Sequence, residues 1–440
     1  MAGPRTQRRR LLAQVGALGL AGGGALLGGC AQRAPHPAVV APEPIDDNPL
    51  DTSSARQAAT YRNIDRLAPT RGIRRAGAVA PLPRHPTDLA ATAVPYAYRE
   101  ASYTLDDYLR RNRVAGLLIL KHGQVALERY AMGNAPQSRW TTFSLAKSVT
   151  STLIGAALMD GSIGSLDDSV ARYVTTLRGT DYEASTIRHL LCMTSGIRWD
   201  EDYSILHGSD LLRFAQAIDE RRSGAVMELM RTRPRIAAPG SVFNYSTGDS
   251  YILGAALAAA TGSTLSEYLS RKVWSRLGME RDGYWLLDAP DGLETGGDNI
   301  SATLRDYGRF GLFFLDHGRI GGASILPPGW RDEASRPSTA VAAYGQVDDD
   351  PLGFGYQWWS FPVGKGALPH HEGAFTSQGI FGQFLYINPR EDVVAVVWSA
   401  WRSAWDDHAE METYAVLGAA VALLADPPEP AASAPPAGRP

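Results

Sequence analysis

The sequence predicts an α/β protein of the α+β kind, with a sheet built from both ends of the chain around a helical middle. Two hairpin patterns and the stretch between them carry that reading. Apolar runs flank His122-Gly123 within residues 115 to 132, and Gln383 to Ile387 with Val393 to Trp398 flank an Asn388-Pro389-Arg390-Glu391-Asp392 turn. Between about 145 and 310, helical stretches alternate with Gly/Ser/Asp turns. The expected arrangement is one mixed sheet interrupted by a helical insertion. At 440 residues with 44% hydrophobic content, the chain can bury a large core.

The elements follow in chain order. Arg5 and Arg8-Arg9-Arg10 precede an apolar, Gly/Ala-rich run from Leu11 to Leu27, then Leu27-Gly28-Gly29-Cys30. A charged head, a short apolar run and small residues before a cysteine read as a lipoprotein signal peptide over 1–29, with Cys30 as the acylated residue. An N-terminal transmembrane anchor is the alternative. The arginine run also resembles a twin-arginine export signal, and Ala31 after the cysteine points towards the outer membrane. Residues 30–58 are Pro/Ala-rich and read as a tether, leaving 59–425 as the folded domain. A helix is expected from Ser144, with Leu145, Val149, Leu153, Ile154, Ala157 and Leu158 at helical spacing, stopped by Asp160-Gly161. Further helical stretches run from Ser185 to Gly196 and from Thr247 to Thr261, and a last one from Asp406 to Leu424. The low-complexity segment 426–440 reads as a disordered tail.

Composition excludes several functions. A net charge of −3 gives no footprint for nucleic acid, so the membrane contact expected is the lipid anchor on Cys30. Nine histidines include no compact metal-ligand spacing, and adjacent His370 and His371 would face opposite sides of a strand, so neither a metal nor a cofactor is expected. Cys192, in Leu190-Leu191-Cys192-Met193, reads as core filler.

Hydrolytic chemistry has a candidate centre. No G-x-S-x-G occurs, which disfavours a nucleophile elbow. Ser144-Leu145-Ala146-Lys147 places a hydroxyl and an amine three residues apart, on one helix face. The chain has four lysines, Lys121, Lys147, Lys272 and Lys365, among 43 basic residues. Arginine cannot serve as a base in a protein, whereas a buried lysine can lose its proton. Read locally, the motif fits equally an N-cap serine with a solvated first-turn lysine. A second candidate, Tyr245, stands where Pro239-Gly240-Ser241-Val242-Phe243-Asn244 leads into the helix at Thr247.

Taken in order, these pieces resemble the serine β-lactamase-like superfamily, which includes class C β-lactamases, penicillin-binding proteins, esterases and 6-aminohexanoate-dimer hydrolases. The resemblance spans about 60 to 425 and rests on Phe143-Ser144-Leu145-Ala146-Lys147-Ser148, Ile187 to Ile197, Asn244 to Gly254, and Gln378-Gly379-Ile380-Phe381-Gly382-Gln383. It implies an antiparallel sheet flanked by helices, in a β-lactamase/transpeptidase-like fold. It further implies Ser144 as nucleophile, Lys147 as base and Tyr245 as proton relay to the leaving group. The oxyanion would lie between the backbone N–H groups of Ser144 and Ile380, with Gly379 beside the substrate.

The third motif departs from the β-lactam-binding members, which carry Lys-Thr-Gly where this chain has Ser377-Gln378-Gly379. The Asn of Tyr-x-Asn is replaced by Thr247. Without the strand lysine, no fixed charge grips a β-lactam carboxylate. The pattern looks most like the 6-aminohexanoate-dimer hydrolase and esterase branch, and the expected function is hydrolysis of a small ester or amide. A peptidoglycan-directed D,D-peptidase or weak β-lactamase, and a non-catalytic binding or sensor module, are the alternatives. Trp199-Asp200-Glu201-Asp202-Tyr203 follows an expected helix end and reads as a solvated acidic loop, with a rim of the cleft as the alternative.

Overall fold

Strands Val114–Lys121 and Gln124–Tyr130 pair antiparallel around His122 and Gly123, whose φ angles are 51° and 70°. Two consecutive left-handed residues make a turn whose twist matches the strands it joins. The second hairpin forms between Gln383–Asn388 and Val393–Ser399. The computed structural model describes residues 42–203, 208–346, 351–364 and 366–426. The chain divides into Met1–Glu43 and Pro44–Pro440, and every element described belongs to the second unit. The signal peptide, Cys30, Lys365 and residues 427–440 of the tail lie outside the described residues.

Val393–Ser399 also pairs with Val114–Lys121, which joins the two hairpins into one seven-stranded sheet. Its order is Gly353–Phe354, Trp359–Ser360, Phe375–Gly379, Gln383–Asn388, Val393–Ser399, Val114–Lys121, Gln124–Tyr130. All neighbours are antiparallel, so the expected mixed sheet is corrected. The long insertion leaves one edge at Tyr130 and re-enters at the opposite edge at Gly353. No crossover therefore returns a strand beside its predecessor, and no parallel pair is required.

Both faces of this sheet are covered, which is why its strands read as unbroken apolar runs. Leu118, Leu120, Val394 and Val396 face one core, with Phe310 and Phe314 of the helix Leu304–Leu315. Leu117, Ile119, Ala395 and Val397 face the other, with Leu417 and Val421 of the C-terminal helix Asp407–Leu423. The first helix lies close because it presents glycine: a Cβ on Gly308 would fall 2.7 Å from Leu118 Cδ2, and one on Gly311 2.5 Å from Val394 Cγ1.

A second sheet, ordered Thr70–Ile73, Gly283–Leu286, Ile300–Thr303, Arg139–Thr141, delivers the chain to Ser144. The expected helix start is corrected there. Phe143–Leu145 is a 3₁₀ turn, the α-helix runs Ala146–Met159, and Ser144 caps nothing. Phe143 at φ 46° is held in the left-handed region by aromatic contacts with Tyr61 and Phe381. Thr247–Thr261 forms as expected, capped by Ser246, whose side chain accepts from Asp249 N. The stretch from Ser185 shortens to Ile187–Leu191, because Thr186 supplies its cap. Cys192 is buried, and burial pushes its thiol up to about 11, as suits core filler.

The domain begins earlier than residue 59. Gln57 is buried and its Nε2 donates to Trp401 O at 2.8 Å, while Thr52 Oγ1 donates to Arg402 O at 2.6 Å. The tether drawn to residue 58 is therefore too long at its C-terminal end. Asp426, drawn into the tail, pairs with Lys121 Nζ at 2.9 Å.

Candidate active site

Ser144 and Lys147 sit where the 3₁₀ turn passes into the helix, and both are buried, at 8% and 2% exposure. Lys147 Nζ lies 3.0 Å from Ser144 Oγ, 2.8 Å from Thr247 Oγ1 and 2.9 Å from Gly297 O. Thr247 Oγ1 itself donates to Glu201 Oε1 at 2.5 Å, so it offers Lys147 a lone pair. A neutral amine has two N–H groups and one lone pair. As an ammonium Lys147 donates to all three; once neutral, with its N–H groups kept on Thr247 and Gly297 O, it would turn that lone pair to the Ser144 hydroxyl. The solvated-lysine reading is excluded by this geometry.

Burial drives the Lys147 ammonium below its ordinary value of 10.5, while the charges of Glu201 and Asp298 pull it partly back. Burial likewise pushes Asp298 up to about 7, against the opposing pull of Lys147. Tyr245 moves the other way from Lys147. Its hydroxyl is raised above 10, first by burial and then by Glu201, and a hydrogen bond with Ser144 offsets part of the rise. Burial thus loosens the proton of the amine and tightens that of the phenol.

Tyr245 immediately precedes the cap of Thr247–Thr261. Its ring stacks near Trp359, centroids 6.0 Å apart at 25°, and Lys147 Nζ lies 5.0 Å from its centroid. Ile380 follows the strand Phe375–Gly379 and lines, with Gly379, Ser144 and Tyr245, one cavity of about 480 Å³. A Cβ on Gly379 would sit 2.1 Å from Thr142 O, so glycine lets the strand end approach the nucleophile turn. The structure thus gathers Ser144, Lys147, Tyr245, Gly379 and Ile380 at one place. Cys30 lies outside the described residues.

The strand lysine's place is filled inwards. Ser377 Oγ lies 2.6 Å from Ser148 Oγ and donates to Leu145 O at 3.2 Å, buried against the nucleophile helix. His371 is bound to Tyr386 Oη and Tyr414 O, and burial pushes it down to about 4. Among the described residues no group of three or more His, Cys, Asp or Glu is arranged to hold a metal ion.

The acidic loop is not simply solvated. Asp200 and Asp202 are exposed, but the Glu201 carboxylate accepts from Thr247 N at 3.0 Å, Tyr203 Oη at 3.1 Å and Trp199 Nε1, besides the Thr247 hydroxyl. Glu201, Thr247, Gly297 and Asp298 are the site residues that sequence reasoning missed. Thr247 carried a signal, as the third residue of the Tyr-x-Thr stretch, and Glu201 stood in the loop whose alternative reading is a rim of the cleft.

The antiparallel sheet, the helical insertion and this serine–lysine–tyrosine cluster define a β-lactamase/transpeptidase-like protein. The sequence profile of the Beta-lactamase family matches residues 104–420, and the chain belongs to that family. It is similar to the 6-aminohexanoate-dimer hydrolase of Paenarthrobacter ureafaciens, 27% identical over 375 residues, 83% of this chain and 90% of that protein. A Bacillus anthracis structure provisionally designated a 6-aminohexanoate-dimer hydrolase superposes with a TM-score of 0.73 at 22% identity, covering 83% of this chain and 94% of that one. EstCE1, a hydrolase with promiscuous acyltransferase activity, superposes at 0.58 and 18% identity, over 72% and 96%.

Proposed function

We propose that this member of the Beta-lactamase family is a serine hydrolase of esters or small amides, acting through an acyl-enzyme on Ser144. The observation that carries this is the hydrogen-bond bookkeeping at Lys147, which leaves a lone pair on the neutral amine for the serine proton. Ser144 Oγ attacks the carbonyl carbon as its proton passes to Lys147 Nζ. The carbonyl oxygen takes the negative charge beside the Ser144 and Ile380 backbone. The C–O or C–N bond then breaks as Tyr245 gives its proton to the leaving group and regains one from the Lys147 ammonium. Water, deprotonated by the neutral Lys147, attacks the acyl carbon, and Ser144 leaves with that proton.

The 6-aminohexanoate-dimer hydrolase that this chain resembles supports a small amide as substrate. The inward-facing Ser377, where β-lactam-binding relatives carry lysine, argues against β-lactams. The N-terminal sequence supports export and anchoring through Cys30.

The test uses p-nitrophenyl acetate and butyrate, nitrocefin and a fluorophosphonate probe, on the wild type and Ser144→Ala. Ester turnover and probe labelling that vanish in Ser144→Ala, with nitrocefin untouched, are expected. Turnover unchanged in the variant would remove Ser144 as nucleophile. Nitrocefin turnover, or labelling by a fluorescent penicillin added as a further probe, would shift the function to a D,D-peptidase or β-lactamase, and no reaction with any probe to a binding module.

A further inference from the structure

Glu201 takes no part in the proton transfers described above, yet its half-buried carboxylate is filled by donors on both oxygens. Oε1 accepts from Thr247 Oγ1 at 2.5 Å and from Tyr203 Oη at 3.1 Å, and Oε2 accepts from Thr247 N at 3.0 Å and from Trp199 Nε1. The loop that carries it is anchored to the Tyr245 stretch. Asn244 Nδ2 donates to Trp199 O at 3.1 Å, and a Cβ on Gly248 would fall 2.6 Å from Trp199 Cζ3. Glycine in the first turn of Thr247–Thr261 therefore lets the indole lie against the helix start, with its N–H on Glu201.

A carboxylate can only accept, and two donors on each oxygen saturate it. A hydroxyl has a single proton to give. That of Thr247 is committed to Glu201, so only oxygen lone pairs face Lys147 Nζ, 2.8 Å away. Were the hydroxyl turned round, its O–H would point at the neutral amine and compete with Ser144 for the one lone pair that is to take the serine proton. Among the described residues only Lys147 and Glu201 bond to Thr247 Oγ1, so no other group holds that hydroxyl in its direction.

We propose that Glu201 is a positioning residue which, through Thr247, sets the direction of the hydrogen bonds at Lys147, so that the free lone pair of the amine falls to Ser144. This rests on the serine-hydrolase reading above. Direction and charge are separate effects of the same carboxylate. Its charge favours the ammonium of Lys147, as does that of Asp298, while the neutral Tyr245 ring lies 5.0 Å from Nζ. Glu201→Gln separates the two. An amide of the same shape keeps one accepting oxygen, which must take the fixed donors Thr247 N and Trp199 Nε1. Its nitrogen then faces the hydroxyls of Thr247 and Tyr203 and donates to them, which turns the Thr247 proton towards Lys147.

The test is the pH profile of kcat/KM for p-nitrophenyl acetate, with Glu201→Gln made in the wild type, in Thr247→Val and in Thr247→Ser. In the wild-type background the plateau above the acid limb should fall at least about fivefold, although the limb itself moves to lower pH because a negative charge beside Lys147 has gone. Thr247→Val has no hydroxyl to turn. There the same substitution should lower the plateau by less than about twofold while the limb still moves, and in Thr247→Ser the full fall should return. A smaller fall in the wild-type background, or a fall of about twofold or more in Thr247→Val, would overturn the positioning role. So would a lowered plateau with an unmoved limb, the mark of a loop that has merely lost its packing. In each of these cases Ser144-dependent turnover by the wild type leaves the hydrolase reading standing. A wild type that neither turns over the ester nor labels with the fluorophosphonate would remove that reading, and the role of Glu201 with it.

Discussion

Replacing Lys147 by methionine removes Nζ and keeps most of the buried stem. Three contacts disappear together, those to Ser144 Oγ, Thr247 Oγ1 and Gly297 O. A positioned general base is worth roughly 10²–10⁴ in rate, or about 3–5 kcal/mol in barrier. The acylation burst with p-nitrophenyl acetate should therefore slow by about that factor. The pH profile gives a second readout. Burial lowers the Lys147 pKa from 10.5, so wild-type kcat/KM should fall on the acid side as the amine takes up its proton, at a limb below 10.5. Stability is linked with a definite sign. Between the lowered folded value and the unfolded value near 10.5, the unfolded chain binds more protons, so wild-type stability from this group rises with pH across that window. Lys147→Met should lose both the acid limb and this rise, read from rates and from urea midpoints. A loss of less than about tenfold in acylation, or an acid limb unchanged in the variant, would refute Lys147 as the base.

Three other outcomes are expected. Tyr245→Phe should slow amide substrates about 10²-fold or more while barely changing p-nitrophenyl esters, whose leaving group needs no proton; equal losses on both would refute proton donation by Tyr245. Gly379→Ala forces a Cβ to within 2.1 Å of Thr142 O, so the strand end must move and kcat should drop, about 10²-fold or more if one oxyanion donor is displaced; full activity would refute that close approach. Ser377→Lys should lower the melting temperature and confer no nitrocefin turnover, because the side chain enters the buried contact with Ser148 and Leu145 O; a stable variant that hydrolyses nitrocefin would show that the strand face is read wrongly.

What the sequence disclosed and withheld follows from distance along the chain. Both hairpins were legible because the apolar runs and the His122-Gly123 turn are local signals. Ser144 and Lys147 were legible because they stand three positions apart, although the 3₁₀ turn that carries the serine was not. Thr247 and Gly297 reach Lys147 across 100 and 150 residues; the Tyr-x-Thr stretch hints at the first, and nothing in the local sequence marks the second. Glu201 looked solvated because its neighbours Asp200 and Asp202 are. The early start of the domain was hidden for a similar reason. Gln57 is polar, and its burial depends on a carbonyl 344 residues away.

The pairing of Val393–Ser399 with Val114–Lys121 has a consequence for how the protein comes into being. Lys121 and Glu391, which meet across that seam, are 270 residues apart in the chain. Until nearly all of the polypeptide is available, Val114–Lys121, with every residue destined for burial, has only one of its two neighbours and presents an open apolar edge. Folding of this sheet is therefore a late event dominated by distant contacts, and slow. A chain cut anywhere before Val393 cannot complete the sheet or bring Ile380 under a stable strand pair. It would persist as an adhesive intermediate, the kind of species that holding chaperones capture.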